Sequence, residues 1–133
     1  MRNTILFLLL IFTFSSCDRT SEKDSYYLYL EEVLGESPKE SQHYIIVSDY
    51  GCSACKEQVY QDIEERSSQH VYVIVQPRNK AILLERFQEA IFENRLYIDS
   101  ARINLDKGII IEKAAEILMQ DGKWGLRELD DVL

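Results

Sequence analysis

The stretch Tyr44-Ile45-Ile46-Val47-Ser48-Asp49-Tyr50-Gly51-Cys52-Ser53-Ala54-Cys55 joins two different periodicities at one point. Its first five residues form a short, β-branched, apolar run, the signature of a buried strand. Asp49-Tyr50-Gly51 breaks that run. Beyond the cysteines, Lys56 to Ser67 places Val59, Tyr60 and Ile63 at helical spacing, with Glu57, Gln58, Gln61, Asp62, Glu64 and Glu65 on the opposite side. A second near-continuous apolar run follows at His70 to Val75. Strand, helix and strand in this order predict a parallel pair joined by a right-handed crossover, and hence a central sheet. Cys52 then stands at the mouth of the helix, where unpaired backbone N–H groups and the macrodipole favour thiolate over thiol. That makes it the candidate nucleophile. Cys55 falls on the same side of the first turn but deeper, within reach of a mixed disulfide formed at Cys52, and is the candidate resolving thiol. Asp49 and Lys56, charged residues near the pair, read either as solvated flanks, the commoner case, or as groups that tune proton transfer to Cys55 or Cys52.

At the amino terminus, Met1-Arg2-Asn3-Thr4 is followed by the apolar run Ile5 to Phe14 and then by Ser15-Ser16-Cys17, the basic, apolar and small-residue order of a secretory signal. The apolar run has about half the length, roughly 20 residues, that a membrane-spanning helix needs. Phe14-Ser15-Ser16-Cys17 resembles the lipobox of bacterial lipoproteins, although Phe14 stands where Leu is usual. The resemblance implies a signal peptide over residues 1–16, cleavage before Cys17, and lipid on Cys17. Polar residues 18–24 then serve as a tether, and residues 25–133 form one domain. An ordinary secretory signal is the alternative, and either one takes the domain out of the cytoplasm to the cell envelope. A composition of 46% hydrophobic and 29% charged residues fits a folded protein. A formal net charge of −8 argues against nucleic acid as a partner, because binding a phosphate backbone rests on Lys and Arg displacing counterions.

With Cys17 acylated, Cys52 and Cys55 are the cysteines left in an oxidising compartment. A disulfide closing a loop of two intervening residues restricts the unfolded chain little, so stability is a poor reason for the pair. A zinc site needs about four Cys or His ligands, whereas His43 and His70 stand singly at the starts of apolar runs. Redox chemistry, an inert disulfide and a copper(I) site between two thiolates remain open at this point, with no metal ligands assigned.

Elsewhere, Ser25 to Leu34 reads as a helix stopped by Gly35. Its Tyr26, Tyr27 and Tyr29 either pack on the core or offer a binding face. Ala81 to Asn94 reads as one amphipathic helix covering the sheet. Arg95 to Asp99 reads as a further short strand, and Lys107 to Lys113 is ambiguous between strand and helix. Asp121-Gly122 is the dipeptide of a tight hairpin between Glu116–Gln120 and Lys123–Arg127.

From Tyr44 to about Leu129 the chain resembles the thioredoxin superfamily, in which a strand ends in a Cys-x-x-Cys that opens a helix. The resemblance implies an α/β, three-layer thioredoxin-like fold with a central mixed sheet flanked by helices. Residues 78–113 form a longer insert than the smallest members carry. It assigns catalysis to Cys52 and Cys55. Counting back from the hairpin puts Ala114 where the family carries a substrate-docking cis-proline, and Ser53-Ala54 replaces the familiar pairs between the cysteines. The implied function is a membrane-anchored, extracytoplasmic thiol-disulfide oxidoreductase needing no cofactor. Its implied partners are protein thiols or disulfides and a second redox protein that resets the pair. The rival expectation is a non-catalytic thioredoxin-like binding lipoprotein, with a copper-handling protein behind it.

Overall fold

The computed structural model describes residues 25–66 and 69–129. The signal peptide expected at 1–16, the lipidated Cys17 and its tether lie outside the described residues. The elements run α1 (Ser25–Leu34), β1 (Tyr44–Ser48), α2 (Ser53–Glu65), β2 (Val71–Val75), α3 (Lys80–Arg86), α4 (Gln88–Phe92), β3 (Leu96–Asp99), α5 (Ile103–Asp106), β4 (Ala115–Gln120) and β5 (Lys123–Glu128). The five strands form one mixed sheet in the order β3-β2-β1-β4-β5. β1 pairs parallel with β2, and β2 with β3, whereas β4 runs antiparallel to both β1 and β5.

The central strands are apolar at nearly every position because both faces of the sheet are covered. Ile45, Val47, Tyr72 and Ile74 pack with Val59, Tyr60 and Ile63 of α2 and with Leu83, Phe87 and Ala90 from α3, its carboxyl-terminal cap and α4. The alternate positions Tyr44, Ile46, Val73 and Val75 pack with Tyr29 and Leu30 of α1. The domain is therefore α/β, with helices on both sides of a mixed sheet. The tyrosines of α1 go to this core: Tyr29 is fully buried, Tyr26 and Tyr27 pack against the same cluster, and the Tyr27 ring lies 6.3 Å from Trp124.

Local signals place most boundaries. Gly35 stops α1 in the left-handed region at φ +73°. Asp121 and Gly122 both take positive φ, +52° and +71°, the conformation that a two-residue hairpin turn requires and that an Asp-Gly pair accepts. Two expectations need correction. The single helix expected over Ala81 to Asn94 is two helices separated at Phe87, where φ −112° and ψ 25° leave the helical well. Phe87 is buried there with its ring edge-on to Tyr60 at 5.1 Å, so core packing bends the chain while hydrogen bonding runs on from Leu83 through Phe87 to Ile91. Lys107 to Lys113 forms neither strand nor helix. It is a loop locked to α5, where the Asn104 side chain donates to the Ile109 carbonyl (3.0 Å) and the Ile109 N–H to the Asn104 carbonyl (2.7 Å). Ile109 and Ile111 anchor it in the core and leave Glu112 and Lys113 exposed beside the cysteine motif.

Candidate functional site

β1 ends at Ser48, and the next residues turn tightly: the Gly51 N–H donates to the Ser48 carbonyl at 3.1 Å and the Tyr50 N–H to Ser48 Oγ at 3.2 Å. The 109–113 loop closes over this turn, its Glu112 carbonyl accepting from the Cys52 N–H at 3.4 Å. A Cβ on residue 51 would sit only 2.8 Å from that carbonyl oxygen, so glycine is required by contact and not by dihedral angle. Cys52 is the N-cap of α2, and its Sγ accepts from the Cys55 N–H at 3.4 Å, taking the place of the capping oxygen that Ser or Asp would supply. Cys52 is exposed and Cys55 half-buried against the α2 side of the core; both are free thiols.

The two thiols are driven apart in acidity. Hydrogen bonding from the Cys55 thiol, then from the Cys55 and Ala54 backbone N–H groups, with the charge of Lys113 beside them, holds Cys52 below the ordinary thiol range. The same thiol contact, then burial and the negative charge on Cys52, pushes Cys55 up. Ala114 is fully buried next to Cys55, and its backbone lies within hydrogen-bonding reach of the Cys55 sulfur. An alanine here keeps an N–H that a proline would lack. Its own carbonyl is taken by the Leu129 N–H at 2.9 Å.

Asp49 and Lys56 are not solvated flanks. Asp49 is buried beneath the motif, where it accepts from the Arg78 N–H (2.7 Å) and the Tyr60 hydroxyl (3.0 Å) and pairs with Lys56 Nζ (3.5 Å). Burial works to raise its carboxyl, but the Arg78 N–H, the Tyr60 hydroxyl and the Lys56 ammonium outweigh it and leave Asp49 below the usual carboxylate range. The signal in the sequence was an acidic residue directly after an apolar strand, but only the tertiary fold shows that it points inward. His43 and His70 are not isolated either. The parallel register of β1 and β2 brings their rings to 5.7 Å at the strand ends opposite the cysteines. There His43 Nδ1 hydrogen-bonds Glu116, which Arg127 also holds, so that buried carboxylate is already paired.

A second feature beside the cysteines was not foreseen. Tyr50, 63% exposed, lines a solvent-open cleft of about 320 Å³ together with Gln76, Pro77, Ser100 and Arg102. The Arg78 guanidinium lies over the Tyr50 ring, 4.7 Å from its centroid.

Fold and site together define a small α/β domain that presents a dithiol, one thiol exposed and the other half-buried, at the start of a helix. No known protein family matches the chain, and no curated protein or solved structure is significantly similar to it.

Proposed function

We propose that the chain is a thiol-disulfide oxidoreductase of the cell envelope, built on a thioredoxin-like domain over residues 25–133 and held to a membrane by lipid on Cys17. One observation carries the catalytic reading: Cys52 caps α2 with its sulfur, exposed and acidified, while Cys55 three residues on is half-buried and held protonated. That asymmetry separates an attacking from a resolving thiol, and a merely structural disulfide has no use for it. The thioredoxin-like reading is supported by the Cys-x-x-Cys that opens α2 after β1, by the parallel β1-β2 pair, and by a hairpin that lies antiparallel beside β1 and begins directly after Ala114, next to Cys55. The binding-lipoprotein alternative rests on the tyrosines of α1, on the sheet surface and on Ala114 in place of proline; of the tyrosines, Tyr29 is taken by the core and Tyr26 and Tyr27 are partly buried against it.

In the forward direction the Cys52 thiolate attacks a substrate disulfide. A Cys52–substrate S–S bond forms and one substrate sulfur leaves as thiolate. Cys55, on losing its proton, attacks Cys52; the Cys52–Cys55 bond forms and the second substrate thiolate departs. The pair has given up two electrons and the substrate disulfide has gained them. A redox partner returns the pair to the dithiol, and reversal of the steps oxidises a substrate dithiol.

The test is trapping in the full chain. Cys55→Ser accumulates mixed disulfides with envelope proteins and Cys52→Ser accumulates none; an absence of trapped species, or alkylation of Cys52 with the pH profile of an ordinary thiol, removes the enzyme reading. In the same experiment Cys17→Ala loses lipid labelling and leaves the membrane fraction, and label retained by that variant excludes Cys17 as the anchor.

A further inference from the structure

Charge around the cysteine motif runs against the charge of the molecule. The chain carries a formal −8, and half of the lysines and arginines among the described residues find a carboxylate. Lys56, Arg66, Arg86, Arg95, Lys107 and Arg127 each do so within 4 Å. Among the described residues no carboxylate lies within that distance of Arg78, Lys80, Arg102, Lys113, Lys39 or Lys123; the first four belong to the rim of the site, while Lys39 and Lys123 lie away from it. Arg102 lines the cleft, Arg78 stacks on its Tyr50 wall, and Lys80 Nζ donates to its Ser100 at 3.1 Å. Lys113 is close enough to Cys52 to favour its thiolate. Asp49, the carboxylate nearest in sequence, is turned inward and consumed by Tyr60, Lys56 and the Arg78 N–H. Glu112 stands beside Lys113 and offsets it, so the two arginines carry most of the excess.

The cleft is also placed and held. Tyr50 and Cys52 are two residues apart, so their Cα atoms lie within about 7.6 Å of each other. Gln76 and Arg102 both sit in the left-handed region, at φ +51° and +62°, conformations that non-glycine residues hold only when their surroundings enforce them. Gln76 is fixed by its side chain, which accepts from Ser48 Oγ at 3.1 Å. Asp99 fixes the turn of Arg102 by accepting from the Ile103 and Asn104 N–H groups, both at 2.9 Å.

We propose that this cleft docks the polypeptide flanking the substrate cysteine, and that the flank it selects is acidic. The proposal rests on the oxidoreductase reading and names its substrate class: a protein whose reacting cysteine is neighboured by Asp or Glu. A peptide bound through its sulfur to Cys52 must run over an adjoining surface. Here that surface offers two guanidinium groups for carboxylates and an exposed tyrosine ring for an apolar side chain. Complementary charge raises the rate of encounter more than the affinity, and ionic strength screens it.

The experiment uses the reduced full chain in detergent and peptides whose single cysteine is activated as a 2-pyridyl disulfide, flanked by Asp, by Ser or by Lys. Attack of the Cys52 thiolate forms the Cys52–peptide disulfide and expels pyridine-2-thiolate, which takes up a proton and is read as the thione. At low salt the Asp peptide reacts about tenfold faster than the Lys peptide, with the Ser peptide between them. That ratio falls toward one as salt is added. It drops several-fold in Arg102→Asn, a residue type that tolerates left-handed backbone, and in Arg78→Gln; Lys123→Gln on the far hairpin leaves it unchanged. Equal rates for the three peptides, or a preference that survives both arginine substitutions, overturn the proposal. The salt titration of the unsubstituted chain decides the matter even where a variant folds poorly. Uncharged 2,2′-dithiodipyridine separates the two levels of inference. If Cys52 fails to react with it, the oxidoreductase reading falls and the docking proposal with it; brisk reaction alongside equal peptide rates sinks only the acidic cleft.

Discussion

Asp49 illustrates how one buried carboxylate holds a reactive loop in place. Its oxygens meet the Tyr60 hydroxyl from α2, the Arg78 N–H from the chain beyond β2, and Lys56 from the first turns of α2. Asp49 thereby ties α2 to the chain beyond β2 beneath Cys52. A buried charge is costly without partners, but each of these donors would also be left unsatisfied in its absence. Asp49→Asn preserves shape and leaves one acceptor oxygen for several donors, so it is expected to lower unfolding stability by about 1–3 kcal/mol. Urea denaturation of the variant measures this, and a change within about 0.5 kcal/mol, the range of ordinary surface substitutions, would mean that the tie carries no weight. Cys52 itself depends on the same loop, since its acidity comes from hydrogen bonds that need the first turn of α2 in this orientation.

At the scale of elements, the contact between the turn after β1 and the 109–113 loop decides whether α2 begins where it does. In Gly51→Ala the new methyl meets the Glu112 carbonyl at 2.8 Å and the Ser48 carbonyl at 3.3 Å, both backbone atoms that cannot rotate away. The loop must shift and release the Cys52 N–H. A loss of about 1–3 kcal/mol is expected from such overpacking, with altered alkylation of Cys52. Gly125→Ala, where an added Cβ meets nothing within 4 Å, is the control and stays near the parent. A Gly51→Ala variant as stable as Gly125→Ala would show that the loop gives way freely. None of this contact is visible in sequence, because it joins residues some sixty positions apart. What was legible follows from local rules: β1 and β2 are apolar at nearly every position because both faces are covered, Asp121-Gly122 announces its turn, and Gly35 its helix end. The break at Phe87 was hidden because the hydrophobic period continues across it. The loop at 107–113 was hidden because the short apolar run Ile109-Ile110-Ile111 does not separate strand from helix, and because Asn104 claims the backbone through a tertiary contact. The pairing of His43 with His70, the inward turn of Asp49 and the cleft between Tyr50 and Arg102 all depend on register and crossover.

For the whole molecule, the acidity of the two thiols couples the redox state to the stability of the fold. In the dithiol form Cys52 ionises more readily folded than unfolded. Between its depressed folded value and the unfolded thiol value of about 8.5, the folded chain binds fewer protons than the unfolded one, and stability rises with pH. Cys55 acts in the opposite sense. Its raised folded value means that above the ordinary thiol range the unfolded chain sheds a proton the folded chain keeps, and stability falls as pH rises further. The disulfide form has neither ionisation, and every other titrating group is common to both forms. The difference in Tm between oxidised and reduced protein therefore isolates the pair. The Tm of the reduced protein is expected to rise relative to that of the oxidised protein as pH rises toward the ordinary thiol value, and to fall relative to it above that value. Buried Trp124 reports the transitions by its fluorescence, followed across about pH 6 to 10 in both redox states. A difference that stays flat over that range would mean that folding leaves both thiols at their unfolded acidity, and the amino terminus of α2 would then have no claim to activate Cys52.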